Sequence, residues 1–259
     1  MSALLAGRRA VVTGAGRGIG RAIAGHLASA GAAVVVAART ESEIEQAAEQ
    51  IRAAGGHADA IACDITDDAS VARLAAASEE RLGGTVDTLV NNAGVYRPRP
   101  FDAYTLDDWR WILDVNVVAL VRVTQAFLPG LLKLQRSRVI NVSSIAGKKG
   151  TFGQAAYNAS KHAQIGITRC LAMETGSTGL RVNAVCPGFT KTDLIDLDEL
   201  GRAHNKPGTE VWAGVEQAAT IKRTVSLDEI AAAVVYLASP AADGVNGQSL
   251  VVDGGIVMA

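Results

Sequence analysis

The sequence predicts an α/β protein built on a doubly wound sheet with right-handed crossovers, and three observations carry the prediction. Apolar, β-branched runs such as Ala33–Ala38 (AVVVAA) lack polar alternation, as strands buried on both faces of a parallel sheet do. These runs alternate along the chain with segments of helical periodicity. The first strand runs through a glycine-rich turn straight into a helix.

The elements follow in order. Arg8 to Thr13 (RRAVVT) reads as a strand, Gly14 to Gly20 (GAGRGIG) as a turn, and the segment through Leu27 and Ala30 as a helix. Glycine at 14, 18 and 20 lets the backbone turn tightly and approach a diphosphate, toward which the helix start points unpaired N–H groups. After the strand Ala33–Ala38 come a charged helix from Glu41 to Ala54, a strand from Ala58 to Cys63 and a helix from Asp68 to Leu82. Val86 to Val90 leads into Asn91-Asn92-Ala93-Gly94. In such sheets ligands bind beyond the carboxyl ends of the strands, where the glycine turn, Asp64 and the Asn-Asn-Ala-Gly turn all fall.

A long helix is expected from Leu106 to Leu132, broken near its end at Pro129 and Gly130. Arg138 to Val142 and Leu180 to Val185 read as further strands. Asp193 to Arg223 is poorly periodic and carries several glycines, so a mobile flap is expected over 191–223. Ser226 and Glu229 form a capping box at the start of the last helix, and a final strand covers Gln248 to Val252.

Composition narrows the classes. The chain has 259 residues, 49% hydrophobic content and a formal net charge of -1, and it contains no run of 18 or more apolar residues, so one domain (1–259), no nucleic acid and no membrane are expected. The start carries no secretory signal pattern. Three dispersed cysteines (Cys63, Cys170, Cys186) suit a reducing cytoplasm, and neither they nor the four scattered histidines suggest a metal site.

The chemistry concentrates between Asn141 and Lys161. Tyr157 and Lys161 lie four apart on a helical face. A phenol has an ordinary pKa of about 10, and a neighbouring ammonium lowers it by favouring the phenolate. Ser144, just past a strand end, could reach that phenol, giving a donor and a proton carrier suited to a carbonyl. Asn116 interrupts an apolar stripe. Its spacing alone favours an amide bonded to neighbouring backbone, with a water held near Tyr157 and Lys161 as the alternative.

Thr13 to Gly20, Asn91 to Gly94, Asn116, Ser144, Tyr157-x-x-x-Lys161 and Pro187 to Thr192 (PGFTKT) resemble, in order and spacing, the short-chain dehydrogenase/reductase family, over essentially the whole chain. The resemblance implies a single Rossmann domain with a seven-stranded parallel sheet and a catalytic tetrad of Asn116, Ser144, Tyr157 and Lys161. It implies that Tyr157 protonates the carbonyl oxygen, that Ser144 steadies it, and that Lys161 bonds the nicotinamide ribose and lowers the Tyr157 pKa. Asn116 then holds the water that links Lys161 to solvent. The cofactor-binding set it implies is Gly14, Arg17, Gly18, Ile19, Gly20, Arg39, Asp64, Ile65, Asn91, Ala93, Gly94, Tyr157, Lys161, Pro187, Gly188, Thr190 and Thr192.

Charge selects the cofactor. NAD-selective members place an acidic residue at the end of the second strand, where this chain has Ala38 followed by Arg39; Arg17 adds a second cation, so NADPH/NADP is expected over NAD. The sequence most resembles reductases of 3-oxoacyl thioesters. Carrier-protein reductases carry arginines where Gln135 and Thr178 stand here, with Arg136 adjacent, which leaves a CoA thioester or a free ketone comparably open. Oxidation of a secondary alcohol, and a non-catalytic nucleotide sensor, remain as rival readings. Members of the family usually form homotetramers through the long helices.

Overall fold

The computed structural model describes residues 4–192 and 194–258. Seven strands, β1 (Arg9–Thr13), β2 (Ala33–Ala38), β3 (His57–Ala62), β4 (Thr88–Asn91), β5 (Ser137–Val142), β6 (Leu180–Pro187) and β7 (Ser249–Val252), form one parallel sheet in the order β3-β2-β1-β4-β5-β6-β7. The order reverses between β1 and β4, so a crevice opens there at the carboxyl ends of the strands.

Alternation along each strand sends side chains to two cores. Val12, Val34 and Val36 pack on one face with residues of α1 (Gly18–Ser29), α2 (Glu41–Ala53) and α9 (Leu227–Ala238). Val11, Val35, Leu89 and Val139 pack on the other with residues of α3 (Asp68–Arg81) and α5 (Ala119–Leu132). Each such side chain removed from water contributes about 1.5–3 kcal/mol, enough to hold strands that carry no polar face. The Ser226–Glu229 capping box at the start of α9 is present.

Two expectations are corrected. The helix beginning at Leu106 does not break at Pro129; Pro129 lies inside α5. Pro129 and Gln125, whose carbonyl loses its intrahelical donor, both face solvent, so water can replace the bond. The irregularity falls earlier, at a π-helical segment (Asp114–Val118) between α4 (Leu106–Leu113) and α5, where the Ala119 N–H bonds back to the Asp114 carbonyl. Asn116 is at its centre.

The expected flap is also more regular than its sequence suggests. It contains α7 (Leu197–His204) and α8 (Gly208–Ala218). Asp196 caps α7 by accepting from the N–H groups of Asp198 at 2.8 Å and Glu199 at 3.2 Å. Two of the glycines that masked the periodicity serve packing: a Cβ on Gly208 would stand 1.9 Å from the Leu197 carbonyl oxygen, and one on Gly201 2.6 Å from the Lys206 carbonyl oxygen. Asp193, the start of that segment in the sequence reading, lies outside the described residues.

Candidate active site

The long helix α6 (Ala155–Glu174) and the loops after β1, β4, β5 and β6 meet over the crevice. The loops after β1 and β4 are tied by reciprocal bonds. The Thr13 hydroxyl accepts from the N–H groups of Asn92 at 3.1 Å and Ala93 at 3.2 Å, and the Asn92 amide donates to the carbonyls of Thr13 at 3.0 Å and Gly14 at 3.1 Å. Gly14 has φ +64, and a Cβ there would lie 2.7 Å from Ala93 Cα. A Cβ on Gly20 would stand 2.3 Å from the Gly14 carbonyl oxygen. The turn thus keeps bare backbone at the N-terminus of α1, with Thr192 packed beside Gly18.

Ser144 caps the short turn Ile145–Gly147 through the Ala146 N–H, at 3.1 Å, and its hydroxyl lies near enough to the Tyr157 phenol to favour the phenolate. Both hydroxyls line one cleft with Ile19, Pro187, Gly188, Thr190 and Thr192. Lys161, one turn after Tyr157, is buried; its ammonium donates to the Val142 carbonyl at 3.0 Å and to Gln164 Oε1 at 3.1 Å. The Ser143 hydroxyl donates to the Lys161 carbonyl at 3.1 Å, which locks the end of β5 to α6.

Asn116 is fully buried, and its amide serves neighbouring backbone. Oδ1 accepts from the Val95 N–H at 2.8 Å, and Nδ2 donates to the Val95 carbonyl at 2.9 Å and to Ser160 Oγ at 3.1 Å. Its main-chain carbonyl accepts from Gln164 Nε2 at 2.6 Å. The reading from spacing alone therefore describes the side chain well, while the carbonyl points to Lys161 through Gln164.

Burial runs against one expectation. Burial pushes the Tyr157 phenol up to about 12, opposed by the nearby Ser144 hydroxyl, rather than down toward the neutral range. Burial likewise pulls the Lys161 ammonium down to about 8. Removing either charge from water outweighs the attraction between them at this separation.

The sequence model of short chain dehydrogenases matches residues 8–199. A 3-oxoacyl-[acyl-carrier-protein] reductase from Vibrio cholerae is 37% identical over 254 residues, 98% of this chain and 99% of that one. A solved actinorhodin polyketide ketoreductase variant with NADPH superposes at a TM-score of 0.92, with 34% identity and 99% of each chain covered. A gluconate 5-dehydrogenase from Burkholderia cenocepacia in complex with NADP and tartrate gives a TM-score of 0.89, with 34% identity over 98% of this chain and 97% of that one.

The chain belongs to the short-chain dehydrogenase family. It is an oxidoreductase, and the Rossmann-like sheet is that of its structural relatives.

The residues of this dehydrogenase fit a dinucleotide, because the bare glycine turn and the locked Thr13–Asn92 corner form a cradle that side chains at 14 or 20 would fill. Arg17 and Arg39 are exposed at its rim, Arg17 within 4.0 Å of Glu43, and Arg39 helps lower the Asp64 carboxyl. That lowering is due first to Thr66, whose N–H and hydroxyl bond Asp64 Oδ1 at 2.9 and 2.7 Å. Ile65 is partly buried against the core. Gly94 adjoins Asn116, whose Oδ1 would lie 3.1 Å from a Cβ there.

Asn91, expected beside the adenine ribose, turns its side chain inward. Its side chain is buried and donates to Thr124 Oγ1 and to Asn141 Oδ1, both at 2.9 Å, because β4 is central and this side chain faces the interior. Several residues of the site fall outside the expected set. Thr13 and Asn92, which lie within the recognised motifs, form the corner between the two turns. Gln154 is buried with Nε2 unpartnered, and Tyr96 meets the Tyr157 ring edge-on with centroids 5.0 Å apart; both line the cleft. Trp212 is buried packing, edge-on to Phe189 at 6.1 Å, and reaches the cleft only through that ring.

Proposed function

We propose that the protein is an NADPH-dependent carbonyl reductase that converts a 3-oxoacyl thioester or similar ketone to the 3-hydroxy product. The observation that carries this reading is the paired hydroxyls of Ser144 and Tyr157 at one cleft, with the phenol held protonated by burial at about 12. A loaded proton donor suits reduction, in which the carbonyl oxygen must gain a proton as its carbon accepts hydride.

The bound nicotinamide supplies that hydride. Ser144 donates to the carbonyl oxygen and orients it, and Tyr157 delivers the proton. Lys161 bonds the ribose and, as an ammonium, favours the phenolate left behind. Asn116 holds the π segment and the Val95 loop against α6. Gly14, Gly18 and Gly20 would admit the diphosphate at the α1 N-terminus, with Thr192 beside it and Thr190 toward the carboxamide. Asp64, Ile65, Ala93 and Gly94 border the adenosine half.

Preference for NADPH is supported by Arg39 just past the end of β2, where a 2′-phosphate falls, by Arg17 in the glycine turn after β1, and by relatives solved with NADPH or NADP. A dicarbonyl substrate is supported by Gln154, whose unpartnered amide N–H group offers a donor for a second oxygen. Residues 191–223 serve as the substrate flap, with Leu194 lining the cleft beside Phe189 of the preceding loop. Exposed Leu106, Trp111, Val118 and Met173 on the long helices support a homotetramer, and the unpaired cysteines a cytoplasmic setting.

The test records NADPH and NADH consumption with acetoacetyl-CoA, a carrier-protein thioester mimic and several free ketones. Turnover of a 3-oxoacyl thioester with NADPH at least tenfold more efficient than with NADH supports the reading. No NADPH or NADH consumption with any ketone, with NADP+ or NAD+ reduced only when secondary alcohols are supplied or not at all, refutes it.

A further inference from the structure

We propose that Gln164 is a positioning residue whose amide forms the link between the Asn116 carbonyl and the Lys161 ammonium, taking the part that the family resemblance gives to a water. It rests on the tetrad chemistry of the proposed reductase but not on which ketone or nucleotide is used.

Gln164 is 1% exposed and sits one turn after Ser160 on the inner face of α6. Nε2 donates to the Asn116 carbonyl at 2.6 Å, and Oε1 accepts from Lys161 Nζ at 3.1 Å. The amide orientation follows from chemistry: an ammonium only donates and a carbonyl only accepts, so the oxygen must face Lys161 and the nitrogen Asn116. Both halves are satisfied, which is what permits an amide this deep in the protein. The Gln164 carbonyl accepts from Thr168 Oγ1 at 2.8 Å, and Thr168 in turn accepts from Asn141 at 2.9 Å, so the link is anchored in a polar ladder that reaches β5.

Two consequences follow. With Val142, Gln164 gives the ammonium two neutral acceptors in a site where burial works against its charge. An amide also holds its protons on nitrogen, so this link orients Lys161 without passing protons as a water would. The titratable groups facing Lys161 are Tyr157 on its own helix and Cys186 on β6, itself influenced by Lys148; β5 presents the Val142 carbonyl, and the π segment reaches the ammonium through Gln164.

The test is a magnetic-resonance titration of isotope-labelled Lys161, assigned with a Lys161→Met control, in the wild type, Gln164→Met and Gln164→Glu. The pH profile of kcat/KM is measured alongside with any ketone the wild type reduces. Gln164→Met keeps the length and removes both partners; the midpoint of Lys161 and the basic limb of the profile should fall by about one pH unit. Gln164→Glu puts an anionic acceptor on the ammonium and should raise the midpoint by a similar amount. Midpoints equal to the wild type in whichever variants fold would overturn the proposal. The titration needs no substrate, so a wild type that reduces nothing would sink the reductase reading while the titration still decides the role of Gln164.

Discussion

The Lys161 ammonium lies over the face of the Tyr157 ring, 5.5 Å from its centroid. The hydrogen bonds of the ammonium go to the Val142 carbonyl and Gln164 Oε1 and not to the phenol, so the two act on each other through space. Each is held in its neutral direction, Tyr157 up to about 12 and Lys161 down to about 8.

Lys161 makes stability depend on pH in a calculable direction. Its folded value of about 8 lies below the ordinary 10.5, so between them the unfolded chain binds more protons and folded stability rises with pH. Below that window the folded state carries the full burial penalty, on the order of 3 kcal/mol. Denaturant unfolding of wild type and Lys161→Met across the window should therefore show the wild type gaining on the variant by about that amount as pH rises. A constant difference would mean that the ammonium is not desolvated as described.

Arg39→Asp should raise the KM for NADPH by about tenfold to a hundredfold and leave that for NADH within a factor of about three, since a carboxylate repels a 2′-phosphate and accepts from a 2′-hydroxyl. Steady-state kinetics with both nucleotides decides it. Equal effects would place Arg39 outside the nucleotide site.

Gly20→Ala drives a Cβ to within 2.3 Å of the Gly14 carbonyl oxygen and 2.4 Å of Asn92 Nδ2, both parts of the rigid corner. Nucleotide affinity measured by fluorescence titration should fall more than about tenfold, and the unfolding free energy by about 2–4 kcal/mol. Unchanged affinity would show that the turn yields without cost.

Gln154→Leu removes the unpartnered buried donor from the cleft. It should raise KM for a 3-oxoacyl thioester by about tenfold while leaving a simple ketone within about twofold, because only the former has a second oxygen to bind. Parallel changes for both substrates would assign Gln154 to packing.

The sheet was legible because Val34, Val35 and Val36 have no polar face to offer, and a strand of that kind has few places to go except between two layers of helices. Tyr157 and Lys161 were legible because helical spacing puts them one turn apart. Their pKa directions were not, since spacing reports neighbours and says nothing of how completely water is excluded. The helices α7 and α8 were hidden by Gly201, Gly208 and Gly214, of which Gly208 serves close packing against Leu197. Pro129 read as a break because its solvent-facing position, where water covers the lost bond, depends on the fold. Gln164 gave no signal at all: one polar residue in a mixed helix acquires its meaning only when the π segment presents the Asn116 carbonyl to it.

The central claim is that the Tyr157 hydroxyl hands the proton to the substrate oxygen. Single-turnover reduction of a 3-oxoacyl thioester by NADPH, compared between the wild type and Tyr157→Phe, tests it directly. The variant keeps the ring and its edge contact with Tyr96, so it should fold and bind nucleotide normally while its reduction rate falls by about 10²–10⁴-fold. Reduction within a few-fold of the wild type would contradict the account, whatever the substrate.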